Sequence, residues 1–275
     1  MKKFISLFSI LLLAAGLSAC NESKPTPPDS APKADSAQPA KIRIACTEIT
    51  QSMLEPALPL LTERGVNAEL VLMEGNVNVI RAVEDGSTEA ALGVHQKFME
   101  NFNKQNNGHL AMVKPYPFTT GIGLYSERHK TLEAIPTGAK IGIMNDAMNM
   151  NRGLLMLRDA GLIGLNDKKA DYTLPDITDN PKKIELIDMD QVQTVRALQD
   201  LDASVVFFTH MRNAGKDFRS FIIRDKEANQ YPMGIVVNQN HADQPWAKTL
   251  AEVLKSEPVK QHITQKFDGV FEYLD

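Results

Sequence analysis

Cysteine is nearly absent: Cys20 and Cys46 are the only two in 275 residues. No disulfide framework can staple this fold. An excess of positive charge is also missing. Lys and Arg number 30 against 34 Asp and Glu, a formal net charge of −4, so the chain has no reason to grip nucleic acid through its phosphates. No HExxH and no Cys/His cluster occurs, which argues against a metal. There is no GxSxG, no P-loop and no GxGxxG after a strand. Gly121-Ile122-Gly123 lacks both the third glycine and the following helix. No catalytic constellation or cofactor is therefore expected. Repeats at solenoid spacing are absent as well. The longest apolar run, residues 4–17, is too short to cross a bilayer with any margin.

That run has a different meaning. It follows Lys2 and Lys3 and leads into Leu17-Ser18-Ala19-Cys20, the layout of a secretory signal peptide. A cysteine directly after two small residues makes it similar to lipoprotein signals, in which the thiol is lipidated and the peptide is cut before it. Residues 1–19 are thus expected to be removed, leaving Cys20 as a lipidated start anchored to a membrane on its periplasmic or extracellular face. An ordinary soluble signal with a chance cysteine is the blander alternative. Residues 21–40 carry five prolines among Ser, Ala, Lys and Asp with no large apolar residue. Such a stretch cannot bury enough surface to offset ordering entropy. As an extended tether at about 3.1 Å per residue it would hold a domain up to roughly 60 Å from the membrane.

From Lys41 onward, short apolar runs alternate with helical patterns, which predicts an α/β fold with parallel sheets. Strands are expected over residues 42–46, 66–73, 89–94, 110–113, 120–125, 140–144, 183–187, 204–208, 219–223 and 234–237. Helices are expected over residues 51–64 with Thr50 as cap, 77–84, 95–106, 149–160 with Asn149 as cap, 245–255 and 258–266. Residues 167–182 read as an irregular excursion. Cys46 lies in an apolar strand and reads as a buried structural thiol.

In open α/β sheets, ligands collect beyond the carboxyl ends of the strands. Those ends carry Thr47 and Glu48, His95, residues 145–149 with Arg152, and residues 207–210. Arg152 would fall in the first turn of its helix, where a cation opposes the local dipole. A ligand carboxylate gripped by two parallel hydrogen bonds explains it; a solvated arginine or a salt bridge explains it equally. His95 reads as a helix-start or packing residue, or as a ligand contact.

Three stretches then carry a resemblance. They are His95-Gln96-Lys97-Phe98, residues 121–126 with the strand from Lys140, and Asn145-Asp146-Ala147-Met148-Asn149-Met150-Asn151-Arg152-Gly153-Leu154-Leu155. The last is similar to the Asn-Asp-Pro-x-Asn-x-x-Arg-x-Leu-Leu pattern of the MetQ/NlpA lipoproteins, substrate-binding components of methionine ABC importers. The likeness runs from about Lys41 to Asp275. It implies a two-lobed fold of the type II periplasmic-binding-protein kind, each lobe a sheet flanked by helices and joined by hinge strands. Residues 41–124 plus 236–275 would form one lobe and 125–235 the other. It implies a receptor, not an enzyme, that captures an amino-acid-like solute for a separate ABC permease and ATPase. Matched to the family pattern, His95 is the pocket histidine, Phe98 a pocket aromatic, and Asn149 with Arg152 the carboxylate-holding pair. The chain also departs from the pattern. Asn76 stands where an aromatic is usual and Gly93 where a Phe is common. Phe207 and Met233 stand where the family places Asn, with His210 beside Phe207 as a candidate new contact. The ligand is accordingly methionine, a modified amino acid, a small peptide or another carboxylate. A transport-inactive adhesin or interaction protein is the alternative.

Overall fold

A computed structural model describes residues 41–166, 169 and 171–275. The expected signal, the lipidated Cys20, the tether and part of the 167–182 excursion lie outside the described residues.

Two five-stranded sheets organise the chain. The first is ordered Ala68–Leu72, Ile42–Cys46, Ala90–Leu92, Val236–Asn238, Leu110–Met112. Its first three strands are parallel, and Val236–Asn238 runs antiparallel to both of its neighbours. The second is ordered Glu185–Met189, Lys140–Met144, Ala203–Phe207, Ile122–Tyr125, Ile223–Arg224. It repeats the plan: three parallel strands, then an antiparallel one. The inner parallel strands are apolar almost throughout, as strands covered on both faces must be. The edge strands Ala68–Leu72 and Glu185–Met189 instead carry Glu69, Glu185 and Asp188 and are only partly buried. Ile42, Ile44, Ala45 and Cys46 are fully buried, as are Ile141, Ile143 and Met144.

The chain passes between the sheets twice, after Leu110–Met112 and again between Ile223–Arg224 and Val236–Asn238. Both passages are tied to their surroundings. Phe118–Thr120 pairs with the C-terminal Phe271–Tyr273, and Met233 N–H donates to the Phe118 carbonyl at 2.8 Å. Helices Pro245–Leu254 and Glu257–Phe267 pack on the first lobe, with Trp246, Leu250 and Leu254 all but fully buried.

Several element bounds differ from the sequence expectation. Residues 51–64 form two helices, Glu48–Leu54 and Ala57–Glu63, because Pro56 between them has no N–H to continue the ladder. The cap is Thr47, which trades hydrogen bonds with Thr50 in a capping box. The helix after Met144 begins at Ala147 with Asp146 as its cap, not at Asn149. Arg152 therefore sits in the second turn, beyond the strongest opposing dipole. The 120–125 strand is split at Gly121, where an added Cβ would come within 2.5 Å of the Phe208 ring. Residues 219–223 contribute only the two-residue strand Ile223–Arg224. The strand ending at Phe207 gives way at once to the helix Phe208–Asn213. The 167–182 excursion contains a short ordered strand, Ile177–Asp179, paired with Gly164–Leu165.

Cys46 is fully buried and its thiol points at the Val71 carbonyl. Burial pushes its pKa up to about 11, so it is an inert structural thiol. Among the described residues no helix is long and apolar enough to cross a membrane.

Candidate functional site: a cavity between two lobes

The carboxyl ends of the parallel strands in both sheets face one cavity of about 570 Å³, its open mouth included. Thr47 follows Ile42–Cys46, and Gly93, Val94 and His95 follow Ala90–Leu92. From the other lobe come Gln191, just past Glu185–Met189, Phe207 at the end of its strand, and Thr209 and His210 on the helix that follows. Thr120, Met233 and Phe271 enter from the connecting strands and the C-terminal strand. Two doubly wound sheets thus aim their ligand-collecting ends at a shared space.

His95 is the best-defined side chain there. It caps the helix Gln96–Asn106, its Nδ1 accepting the Phe98 N–H at 3.1 Å. An amide N–H can only donate, so Nδ1 is unprotonated and the ring proton resides on Nε2. Nε2–H then donates to Asn149 Oδ1 at 3.1 Å, bridging the two lobes. The Asn149 amide is oriented in turn by Asp146, whose Oδ2 accepts from Nδ2 at 2.9 Å. Burial, with the positive Arg152 and Lys97 nearby, holds the His95 pKa down to about 3. The imidazole is neutral at physiological pH. His210 is shifted in the same direction by burial, opposed by Asp190.

The structure brings together seven of the eight candidate contacts. His95, Phe98, Asn149, Phe207, His210, Met233 and Asn76 all form part of the wall. Arg152 does not, although it is 2% exposed and lies just behind it. Its Nε donates to Asp225 Oδ2 at 2.8 Å, Nη2 donates to the same oxygen, and Nη2 also reaches the Thr120 carbonyl at 2.8 Å. The guanidinium is covered by the Tyr231 ring at 4.2 Å and the Phe207 ring at 5.8 Å. The carboxylate that Arg152 holds is thus one the chain itself supplies. Asp225 is further fixed by the Ile122 N–H, 3.1 Å from Oδ1.

Asp225, Tyr231 and Gln191 were not singled out from the sequence. Asp225 lies in Arg224-Asp225-Lys226-Glu227, a charged run that reads as a solvated turn, so no local signal marks it as buried. Among the described residues no group of three or more His, Cys, Asp or Glu side chains could hold a metal.

Two α/β lobes, joined by paired connecting strands and enclosing a cavity at their strand ends, define the class of two-lobed solute-binding proteins. A family model described as NlpA lipoprotein matches residues 42–272, so the chain belongs to the NlpA lipoprotein family. It is 28% identical over 278 residues to a Bacillus subtilis protein named methionine-binding lipoprotein MetQ, covering 98% of this chain and 97% of that one. It is 27% identical over 271 residues to outer membrane lipoprotein 2 of Mannheimia haemolytica, covering 97% of each. Among solved structures, a nutrient-binding protein from Burkholderia cenocepacia bound to methionine superposes with a TM-score of 0.78 at 27% identity, over 85% of this chain and all of that one.

Proposed function

We propose that the protein is the solute receptor of an ABC importer: a lipoprotein anchored through Cys20 that captures a small amino-acid-derived solute and delivers it to a separate permease and ATPase. In this reading residues 41–124 with 236–275 form one jaw and 125–235 the other. The observation that carries it is the His95–Asn149 hydrogen bond, which spans a cavity walled by both lobes. A side-chain bridge of this kind favours the closed arrangement, and a ligand stabilises closure by whatever it gains from contacts with both jaws. His95, Phe98, Asn149, Phe207, His210, Met233 and Asn76 would touch the solute, with Arg152 supporting the wall from behind. The names of the Bacillus relative and the Burkholderia structure support methionine or a compound built on it. The protein would perform no chemistry on its cargo.

The test is mass spectrometry of small molecules released from protein purified without added ligand, followed by thermal shift with each compound found. A genuine ligand at 100 times its Kd should add about 2.7 kcal/mol of stability. Recovery of no solute, together with no shift across amino acids, their derivatives and dipeptides at millimolar concentration, would refute the receptor reading.

A further inference from the structure

We propose that the interlobe cavity selects a formally uncharged solute: a small amide with an apolar side chain, such as an amino acid blocked at both its amino and carboxyl ends, in preference to the free zwitterion. The inference rests on the receptor reading above and narrows the chemical class of its ligand.

Among the described residues, none that forms the wall is an Asp, Glu, Lys or Arg. The polar groups there are threonine hydroxyls, the side-chain amides of Asn76, Asn149 and Gln191, and the imidazoles of His95 and His210. Both imidazoles are driven toward their neutral forms by burial. Such groups donate and accept hydrogen bonds, so they can pair with a ligand's amide N–H and C=O, but they offer no counter-charge. A free amino acid would bring an ammonium and a carboxylate into this space. Burying either without an opposite charge is far costlier than burying a hydrogen-bonded amide.

The charges nearest the wall have partners within the fold. Asp146 accepts from the backbone N–H and Nδ2 of Asn149. Lys97 Nζ lies 4.3 Å from the Tyr231 ring centroid and donates to Gln230 Oε1 at 3.4 Å. Arg152 gives Nε and Nη2 to Asp225 and lies beneath the rings of Tyr231 and Phe207. Phe207 belongs to the wall and Arg152 does not, so the aromatic ring, not the guanidinium, meets the cavity. Replacing a carboxylate held in place by the fold with one from solution would also leave Asp225 buried and unpaired. Asp190 influences His210 but is exposed, and its Oδ1 accepts the Val192 N–H; water screens it. The apolar remainder of the wall, with Phe98, Phe207, Met233 and Phe271, suits a thioether or aromatic side chain.

Isothermal titration of the full-length protein in detergent tests this with four charge states of one skeleton. The probes are N-acetyl-L-methioninamide (neutral), L-methioninamide (ammonium only), N-acetyl-L-methionine (carboxylate only) and L-methionine (both), with the phenylalanine set run alongside. The neutral probe of at least one set should bind tenfold or more tighter than each charged counterpart. Free methionine or phenylalanine binding as tightly as the neutral form overturns the inference and leaves the receptor reading standing. No heat from any probe also overturns it; the co-purification experiment then decides the receptor reading separately. Asp225→Asn removes the internal counter-charge and should shift preference at least tenfold toward N-acetyl-L-methionine. Where that variant does not fold, Phe207→Asn, which uncovers the guanidinium toward the cavity, should move preference in the same direction. An unchanged order of affinities in the variant that folds contradicts the role given to the Arg152–Asp225 pair.

Discussion

Breaking the ion pair behind the cavity is the sharpest structural prediction. Arg152 is 2% exposed and Asp225 6%, so neither charge can be rehydrated in place. Removing one partner of such a pair costs about 3–5 kcal/mol, because the other is left buried and uncompensated. Arg152→Met should fall in that range. Asp225→Ala should fall at its upper end, since the Ile122 N–H also loses its acceptor. In a protein of this length each kcal/mol lowers Tm by about 2–4 °C, so the expected drops are roughly 6–20 °C. The double variant Arg152→Met with Asp225→Leu should cost clearly less than the two singles added together, because replacing a buried pair with apolar groups is often near neutral. Urea titration at pH 7 of the wild type, both singles and the double would measure the coupling. Singles that each cost under about 1 kcal/mol and add without coupling would show that water reaches the pair, and would remove the argument that Arg152 is committed.

Other outcomes are equally direct. His95 has its pKa lowered to about 3 by the fold against 6.5 for the free side chain. Its stabilising contribution is complete above pH 6.5 and declines as pH falls from there toward 3, amounting to about 2 kcal/mol lost between pH 7 and pH 5. His95→Gln should flatten that part of the stability–pH curve; an identical slope in the variant would assign the loss to other groups. Thr47→Ala removes the capping box of Glu48–Leu54 and should cost about 0.5–2 kcal/mol in thermal unfolding; no change in Tm would mean the cap is redundant. Cys46, with its pKa raised to about 11, should resist alkylation at pH 8 in the native protein and react once urea unfolds it. Peptide mapping would distinguish it from Cys20, and rapid native labelling would contradict its burial.

The sheets were largely legible because buried parallel strands are written as unbroken apolar runs. Residues 140–144 needed no tertiary information. The errors lie where two local readings are equally good and a distant residue chooses between them. Asp146 and Asn149 are both competent helix caps, and nothing nearby ranks them. The fold settles it by drawing Asn149 Oδ1 across the cavity to His95, which leaves Asp146 to take the free N–H of Asn149 at 3.0 Å. Val205-Val206-Phe207-Phe208 reads as one strand because periodicity alone cannot end a fully apolar run. Its end is set instead by Phe208, whose ring fits against the bare backbone of Gly121.

Part of the cavity wall was readable for the same reason that the strands were: Thr47, His95, Asn149, Phe207 and His210 lie at or shortly past the strands' carboxyl ends. Asn76, Phe98 and Met233 follow only from the family pattern. What lies one layer deeper was not. An exposed and a buried aspartate look identical in sequence, and Asp225 sits among charges that argue for water. Only the packing of Ile223–Arg224 against Ile122–Tyr125 carries that carboxylate inward to the second turn of another helix. The same contact changes the reading of Arg152. Taken from the sequence, it is open equally to an acid from solution, a salt bridge within the chain and bulk water, and the family pattern favours the first. Once Asp225 is placed at 2.8 Å from its Nε, the charge is balanced within the fold, and the neighbouring Phe207 ring presents an apolar surface where a charged one was expected. The residue most suggestive of an anionic ligand thus becomes an argument for a neutral one, and a single charge-state series of ligands decides between the two.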